Sequence, residues 1–239
     1  MTMSHSQAIA HIAAGVGKGP RRYRARAHFL FDGIPLAGRR VLDIGCGPGT
    51  YALWAAIHGA EYVLGIEPEA DGSTGGSLAK FRRMAEELDI ADRAIADSAT
   101  LEDLEIPEKP FDVVVMYNVI NHLHEDLVTQ LHCRPEAFGQ YLDQLAKLEH
   151  LVASGGHLIV ADCGRANFWG HLGRKSPAAP NIDWDIHQEP ELWADMLARL
   201  GFRMLDQRWS PWWPLGRVTA NRAVQYLTAS HFVLRMVKT

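Results

Sequence analysis

The chain has 239 residues, with 24 Lys and Arg against 28 Asp and Glu and a net charge of −4. Hydrophobic residues make up 47% and charged residues 22%, which excludes wholesale disorder and suits one globular domain with a buried core. The acidic balance argues against a surface built mainly to neutralise phosphates, and no apolar run reaches the ~18–20 residues that cross a bilayer.

At the start, MTMSHSQAIAHIAAGVGKGP has no basic run ahead of an apolar one, so it does not read as a signal peptide. Cys46, Cys133 and Cys163 lack CxxC spacing and suit free thiols in a reducing, cytoplasmic compartment better than a disulfide or a zinc site. Gly15 to Gly19 read as a flexible hinge. Pro20 then opens a helix in which Tyr23, Ala27 and Leu30 recur at helical spacing as far as Gly33. Lys18, Arg21, Arg22, Arg24 and Arg26 lie there with no acid before Asp32. They form either a solvated basic face or a helix that lies over the mouth of a site and meets an anionic group.

Next, RRVLDIG, YVLGIE, RAIAD, FDVVVMYN and HLIVADC are short apolar runs, the pattern of strands covered on both faces. TYALWAAIHGA, SLAKFRRMAEELDI and a stretch through LAKLEHLVA alternate with them at helical spacing. Such alternation predicts an α/β fold with a doubly wound, mostly parallel sheet. Residues 164–190, rich in Gly, Pro, Asn and aromatics, have no periodicity and read as a long connection or lid. PELWADMLARLGF predicts a helix, and FRMLDQRW and HFVLRMVK predict two final strands with a helix, RVTANRAVQYL, between them. The whole reads as a single domain, 1–239: a helical extension (1–38), a cofactor-binding core (39–163), the substrate-side connection (164–190) and the end of the sheet (191–239). Trp184, Trp193, Trp209, Trp212 and Trp213 fall in the final third; most suit packing, but Trp184 on the connection can wall a pocket.

Val41-Leu42-Asp43-Ile44-Gly45-Cys46-Gly47-Pro48-Gly49-Thr50 lies at the first strand-to-helix turn. Its glycines permit a tight turn and close approach of a ligand to the backbone. Glu67 ends the second strand 22 residues beyond Gly45, where an acid can accept hydrogen bonds from both ribose hydroxyls. Together these imply a nucleoside-containing cofactor at the carboxyl ends of the strands.

The glycines read G-x-G-x-G, not the G-x-G-x-x-G of nicotinamide enzymes, and Asp43 precedes them by two. This resembles motif I of the class I S-adenosylmethionine-dependent methyltransferases. The resemblance runs from about Arg39 to Cys163 and, less specifically, to the last two strands, which resemble the antiparallel hairpin completing that family's seven-stranded sheet. It implies that Gly45, Gly47 and Gly49 form the loop beside the methionine moiety and that Asp43 organises that loop and the cofactor's amino group. Glu67 would hold the ribose, Asp97 would accept from the adenine amino group with Ser98 beside it, and Asn118 would contact the cofactor from the end of the fourth strand. ADGSTGGS after Glu67 departs from the usual helix entry. The cofactor implied is S-adenosyl-L-methionine, with S-adenosyl-L-homocysteine as product.

Methyl transfer from a sulfonium mainly needs alignment and exclusion of water, and a hydroxyl nucleophile also needs a base. Among the 12 histidines, His122 and His124 follow the fourth strand and His187 lies on the connection. His122 and His187 are the candidate catalytic residues. Asp183 and Asp185, flanking Trp184, can orient a histidine or bind a polyol or amine. His122-x-His124-Glu125-Asp126 does not place its histidines on one helix face, and no metal is expected. The Asn-Pro-Pro-Tyr signature of amino-purine DNA methyltransferases is absent, since Asn118-Val119-Ile120-Asn121 stands there. MYNVINHLHE and the long aromatic connection resemble bacterial small-molecule methyltransferases, and that resemblance implies a small polar acceptor, a sugar or secondary metabolite, methylated at oxygen in preference to nitrogen, rather than nucleic acid. A macromolecular acceptor, suggested by the basic helix, and a non-catalytic S-adenosylmethionine-binding protein are the alternatives. Nothing in the pattern specifies an oligomer.

Overall fold

Ser4 opens the first helix, α1 (His5–Gly15), through a capping box in which the Ser4 hydroxyl accepts from the Gln7 N–H and the Gln7 side chain accepts from the Ser4 N–H. This helix is not among the elements expected from apolar spacing; Ser4-x-x-Gln7 is the signal that announces it. The computed structural model describes residues 3–69, 75–177, 179–211 and 216–239. The expected glycine hinge is instead a Schellman turn. Lys18 N–H donates to the Ala13 carbonyl (2.7 Å), and Gly17, at φ 66°, donates to that of Ala14 (3.1 Å). Pro20 begins α2 (Pro20–Phe31), which buries Tyr23, Ala27, Leu30 and Phe31.

The chain divides into two compact units, one of residues up to Tyr117 with His150–His157, the other of Asn118–Glu149 with Leu158–Thr239. In the first, β1 (Arg40–Ile44), α3 (Ala52–Ile57), β2 (Tyr62–Ile66), α4 (Ser77–Glu87), β3 (Ala94–Asp97) and β4 (Phe111–Tyr117) follow in turn. β1 pairs in parallel with β2 (Val41 opposite Val63) and with β4 (Val41 opposite Val113), and β2 with β3 (Ile66 opposite Asp97). Phe81 on α4 is fully buried. Its ring occupies the space that a Cβ at Gly65 or Gly49 would need, at 2.5 Å and 2.8 Å.

The later elements are α5 (Glu125–Val128), α6 (Pro135–Leu145), α7 (Leu148–Leu151), β5 (Val152–Cys163), α8 (Phe168–His171), α9 (Pro190–Arg199), β6 (Phe202–Trp209), α10 (Arg222–Leu227) and β7 (His231–Lys238). β5 starts five residues before the expected HLIVADC and carries within it Gly155, at φ 72°, and Gly156, where a Cβ would meet the Ala153 carbonyl at 2.7 Å. RVTANRAVQYL is broken in two. A 3-10 turn (Gly216–Thr219) ends it early, and Asn221 then caps α10 by accepting from the Val224 N–H at 3.0 Å. β6 and β7 pair antiparallel with an irregularity between Met204 and Asp206, and Asp206 accepts from Arg235 Nε at 2.9 Å. Among the described residues the seven strands form one sheet in the order β3-β2-β1-β4-β5-β7-β6, the Rossmann-like architecture expected. Residues 70–74 of ADGSTGGS, together with Trp212 and Trp213, lie outside the described residues.

The Phe81 contacts predict that Gly65→Ala lowers unfolding free energy by about 1–3 kcal/mol in urea denaturation. Combining it with Phe81→Leu is expected to cost less than the sum of the two single changes.

Candidate functional site

In the first unit the chain leaves β1 for β2 and β3 on one side and returns to β4 on the other. This strand-order reversal leaves a crevice at the carboxyl ends of β1 and β4. The turn leaving β1 fills that place. Gly45, Gly47 and Gly49 take φ of 67°, 50° and 80°, the region that favours glycine. Gly45 and Cys46 donate to the Ile66 carbonyl (2.9 and 3.0 Å), so the turn is stitched to the end of β2. Gly47 N–H donates to Glu67 Oε2 at 3.0 Å, bringing together the two parts of the motif that sequence spacing paired. A Cβ on Gly47 would meet nothing within 4 Å, so the turn is open on that side. Glu67 N–H donates to the Asp97 carbonyl (3.0 Å), and Asp97 and Ser98 are exposed at the end of β3.

Asp43 is buried beneath this turn and accepts from the Ala52 N–H (2.9 Å), with the Tyr51 N–H also facing it. Burial pushes its carboxyl up to about 7; the Glu67 charge adds to this, and the Ala52 and Tyr51 amides oppose it. Tyr23 on α2 donates its hydroxyl to the Thr50 carbonyl at 2.8 Å, and the Tyr51 ring packs on Tyr117 with centroids 4.6 Å apart. Neither tyrosine contact is legible from apolar spacing.

The second unit places the other expected residues. Asn118, at φ 56°, donates its N–H to the Ala161 carbonyl (2.7 Å), and its side-chain oxygen faces His231 Nε2 at 3.1 Å. His231 Nδ1 faces the Ser210 hydroxyl at 2.7 Å. His122 is exposed, with Nδ1 2.9 Å from the Glu125 carboxylate. His124 is exposed at the start of α5 and makes no side-chain cap. His187 is 4% exposed and stands edge-on to His122, centroids 5.8 Å apart.

His187 Nδ1 donates to the backbone carbonyl of Asp183, which leaves Nε2 toward Asp162 Oδ1 at 3.7 Å. The carboxylates of Asp183 and Asp185 do not orient it. Asp183 accepts from the Asp185 N–H, and Asp185 faces Arg165 at 3.7 Å. Burial pushes the Asp162 carboxyl up and the His187 imidazole down, each opposed by the other's charge. Asp162 Oδ1 accepts from the Cys163 N–H (2.8 Å), while Oδ2 is buried with no hydrogen-bond partner among the described residues. Asp162, Cys163 and His187 each offer a ligand atom within 4.8 Å of the others, a grouping that spacing along the chain does not reveal. Asn121, fully buried, donates to the Cys163 carbonyl and accepts from the Gln188 N–H (3.1 Å), so it pins the connection 164–190 to the end of β5. Within that connection Trp184, Arg165, Asp185 and Glu189 line a pocket of about 300 Å³.

A family model described as a methyltransferase domain matches residues 16–236. A tRNA U34 carboxymethyltransferase from Haemophilus influenzae (strain PittEE) is 29% identical over 141 residues, covering 56% of this chain and 37% of that protein. One from Methylococcus capsulatus (strain ATCC 33009 / NCIMB 11132 / Bath) is 32% identical over 176 residues, covering 71% and 46%. The chain thus spans less than half the length of these two curated relatives. Among solved structures, geranyl diphosphate C-methyltransferase from Streptomyces coelicolor A3(2), in complex with Mg2+, geranyl-S-thiolodiphosphate and S-adenosyl-L-homocysteine, superposes with a TM-score of 0.66. At 15% identity, covering 94% of this chain and 79% of that one, it shares the fold.

The Asp43 carboxyl yields a pH prediction. Its folded value, about 7, lies above the ordinary 3.8, so the fold favours the protonated form. That contribution is fully present below about pH 4 and is lost as pH rises to about 7. Wild type is therefore expected to lose stability relative to Asp43→Asn between about pH 4 and pH 7 in urea denaturation. A constant difference would contradict a buried, proton-bound carboxyl.

Proposed function

Because the chain belongs to the methyltransferase-domain family, we propose that it transfers the methyl group of S-adenosylmethionine to a small polar acceptor, at oxygen in preference to nitrogen. The observation that carries this reading is the glycine turn at the crevice of β1 and β4, closed by the Gly47–Glu67 hydrogen bond and open beyond Gly47. In this reading Gly45, Gly47 and Gly49 hold the methionine end, Glu67 the ribose hydroxyls, and Asp97 with Ser98 the adenine. Asp43 holds the turn in shape through Ala52 and Tyr51. Asn118, whose side-chain oxygen faces His231, is the further cofactor contact of this reading. S-adenosylmethionine, when bound, supplies a methyl group on a sulfonium sulfur that leaves as the thioether of S-adenosylhomocysteine.

The chain's own task is to take the acceptor's proton as its oxygen attacks the methyl carbon. His122 suits this better than His187. Glu125 orients His122 at Nδ1 and leaves Nε2 available, whereas both nitrogens of His187 face Asp183 and Asp162. His187 then supports the His122 ring edge-on. The pocket of Trp184, Arg165, Asp185 and Glu189 supports a small polar acceptor. No helix among the described residues is long and apolar enough to cross a membrane, and a cytoplasmic location rests on the cysteine pattern. The names of the curated relatives favour a second reading, a tRNA acceptor; the net charge of −4 weighs against it.

Calorimetric titration with S-adenosylhomocysteine is expected to show binding in the micromolar range, and folded, ligand-free protein that does not bind it would overturn the reading. Glu67→Ala should weaken that binding by about 1–3 kcal/mol. His122→Gln should leave the binding intact and lower kcat by about 10²–10⁴-fold once an acceptor is found by methyl-transfer screening. Binding and methylation of a tRNA pool, with no turnover of small acceptors, would select the second reading.

A further inference from the structure

The two ends of the long connection meet in the interior of the second unit. Cys163 closes β5 at one end of residues 164–190, and His187 stands near the other. Asp162, the neighbour of Cys163 on β5, completes the group, and one ligand atom from each of the three lies within 4.8 Å of the others. All three side chains are buried. His122-x-His124, which spacing disfavours as a metal site, supplies none of them.

Asp162 and His187 do not satisfy one another. Nε2 of His187 stands 3.7 Å from Asp162 Oδ1, beyond hydrogen-bond reach. Oδ1 is held by the Cys163 N–H, and Oδ2, on a residue only 1% exposed, has no hydrogen-bond partner among the described residues. A buried carboxylate oxygen left so is costly unless a donor or a cation meets it. His187 is already set for a cation. A carbonyl only accepts, so Nδ1, facing that of Asp183, carries the ring proton, and Nε2 keeps its lone pair toward the group. Such a carbonyl at the outer nitrogen is the common support of a metal-bound imidazole. The Asp162 carboxylate and a Cys163 thiolate together carry two negative charges, which a dication cancels where water has little access. Sulfur, imidazole nitrogen and one carboxylate oxygen suit zinc, and the thiolate disfavours the hard ions magnesium and calcium. Zinc bonds of about 2.0–2.3 Å put ligand atoms roughly 3.3–3.7 Å apart in a tetrahedron, the separation that Nε2 and Oδ1 already have.

We propose that Asp162, Cys163 and His187 form a zinc site that clasps the end of β5 to the far end of the connection 164–190. On binding, the Cys163 sulfur bonds to zinc as its S–H bond breaks, and the proton leaves to the buffer. The three side chains leave a fourth position on the ion for water. The clasp closes the loop that carries Arg165, Trp184 and Asp185, so zinc holds the wall of the pocket they line. It stands on side chains of the second unit alone and is independent of the methyl-transfer reading.

The test uses the full chain carrying Cys133→Ser, which removes the exposed thiol, stripped with a chelator and titrated with cobalt(II), a coloured stand-in for zinc. One equivalent is expected to give a thiolate-to-cobalt charge-transfer band with the strong visible absorption of a tetrahedral ion, and zinc should displace both. Adding Cys163→Ser should abolish the charge-transfer band, and His187→Gln or Asp162→Asn should weaken zinc binding by at least about 100-fold. Saturating zinc is also expected to slow tryptic cutting after Arg174 and Lys175, exposed within the connection, by about tenfold or more. Cobalt spectra without a thiolate band in the Cys133→Ser chain would overturn the site, as would a band that survives Cys163→Ser. Zinc binding that leaves the tryptic cutting unchanged would overturn the clasp. None of these readouts involves S-adenosylhomocysteine, so the clasp and the methyl-transfer reading fail separately.

Discussion

A carboxyl with almost no access to water organises the first unit. Asp43, at the penultimate position of β1, holds the Ala52 and Tyr51 amides and so fixes where the chain re-enters helical structure after the glycine turn. Everything near the turn is placed by that restraint. Thr50 presents its carbonyl to Tyr23, Tyr51 presents its ring to Tyr117 and Lys18, and Gly47 is left facing Glu67. A carboxyl in this position is costly to bury. The two amides compensate in part, and the remainder shows in a proton held well above the ordinary carboxylate range.

The strands were legible because their chemistry is local. The continuous apolar run of HFVLRMVK coincides with β7, six of whose residues are buried, and FRMLDQRW coincides with β6 although most of that strand is exposed or half-buried. The glycine turn and Glu67 were legible for the same reason, since a tight turn constrains residue type at each step. What escaped depends on contacts far apart in the chain or on polar spacing. Helix α1 is announced by a capping box rather than by an apolar stripe, and the break before α10 is set by one Asn side chain. Asp162 reads as one more strand residue in HLIVADC; only folding brings it to His187, 25 positions later.

The second unit shows how an aperiodic connection becomes ordered. Residues 164–190 have little regular structure, yet Asn121 and Gln188 bind across to each other, and Gln188 also donates to the Val128 carbonyl at 2.6 Å. Buried amide side chains here do the work that backbone ladders do elsewhere, satisfying polar groups that a loop would otherwise leave exposed to an apolar interior. His187 is held in the same way, through a backbone carbonyl that decides which of its nitrogens carries the proton.

The Phe81 ring against Gly49 and Gly65 has a consequence for inheritance. The three residues come from the turn, from β2 and from α4, yet they occupy one volume. A larger residue at Gly49 needs the ring at 81 to shrink, one at Gly65 also needs Cys46, whose Sγ stands 2.8 Å from the same Cβ, to give way, and a smaller residue at 81 opens a cavity until a glycine is replaced. Gly49 carries a second constraint, its φ of 80°, so Gly65 is the easier of the two to change. Lineages descending from this sequence therefore have an ordered path open to them: positions 81 and 46 first, position 65 next, and position 49 last.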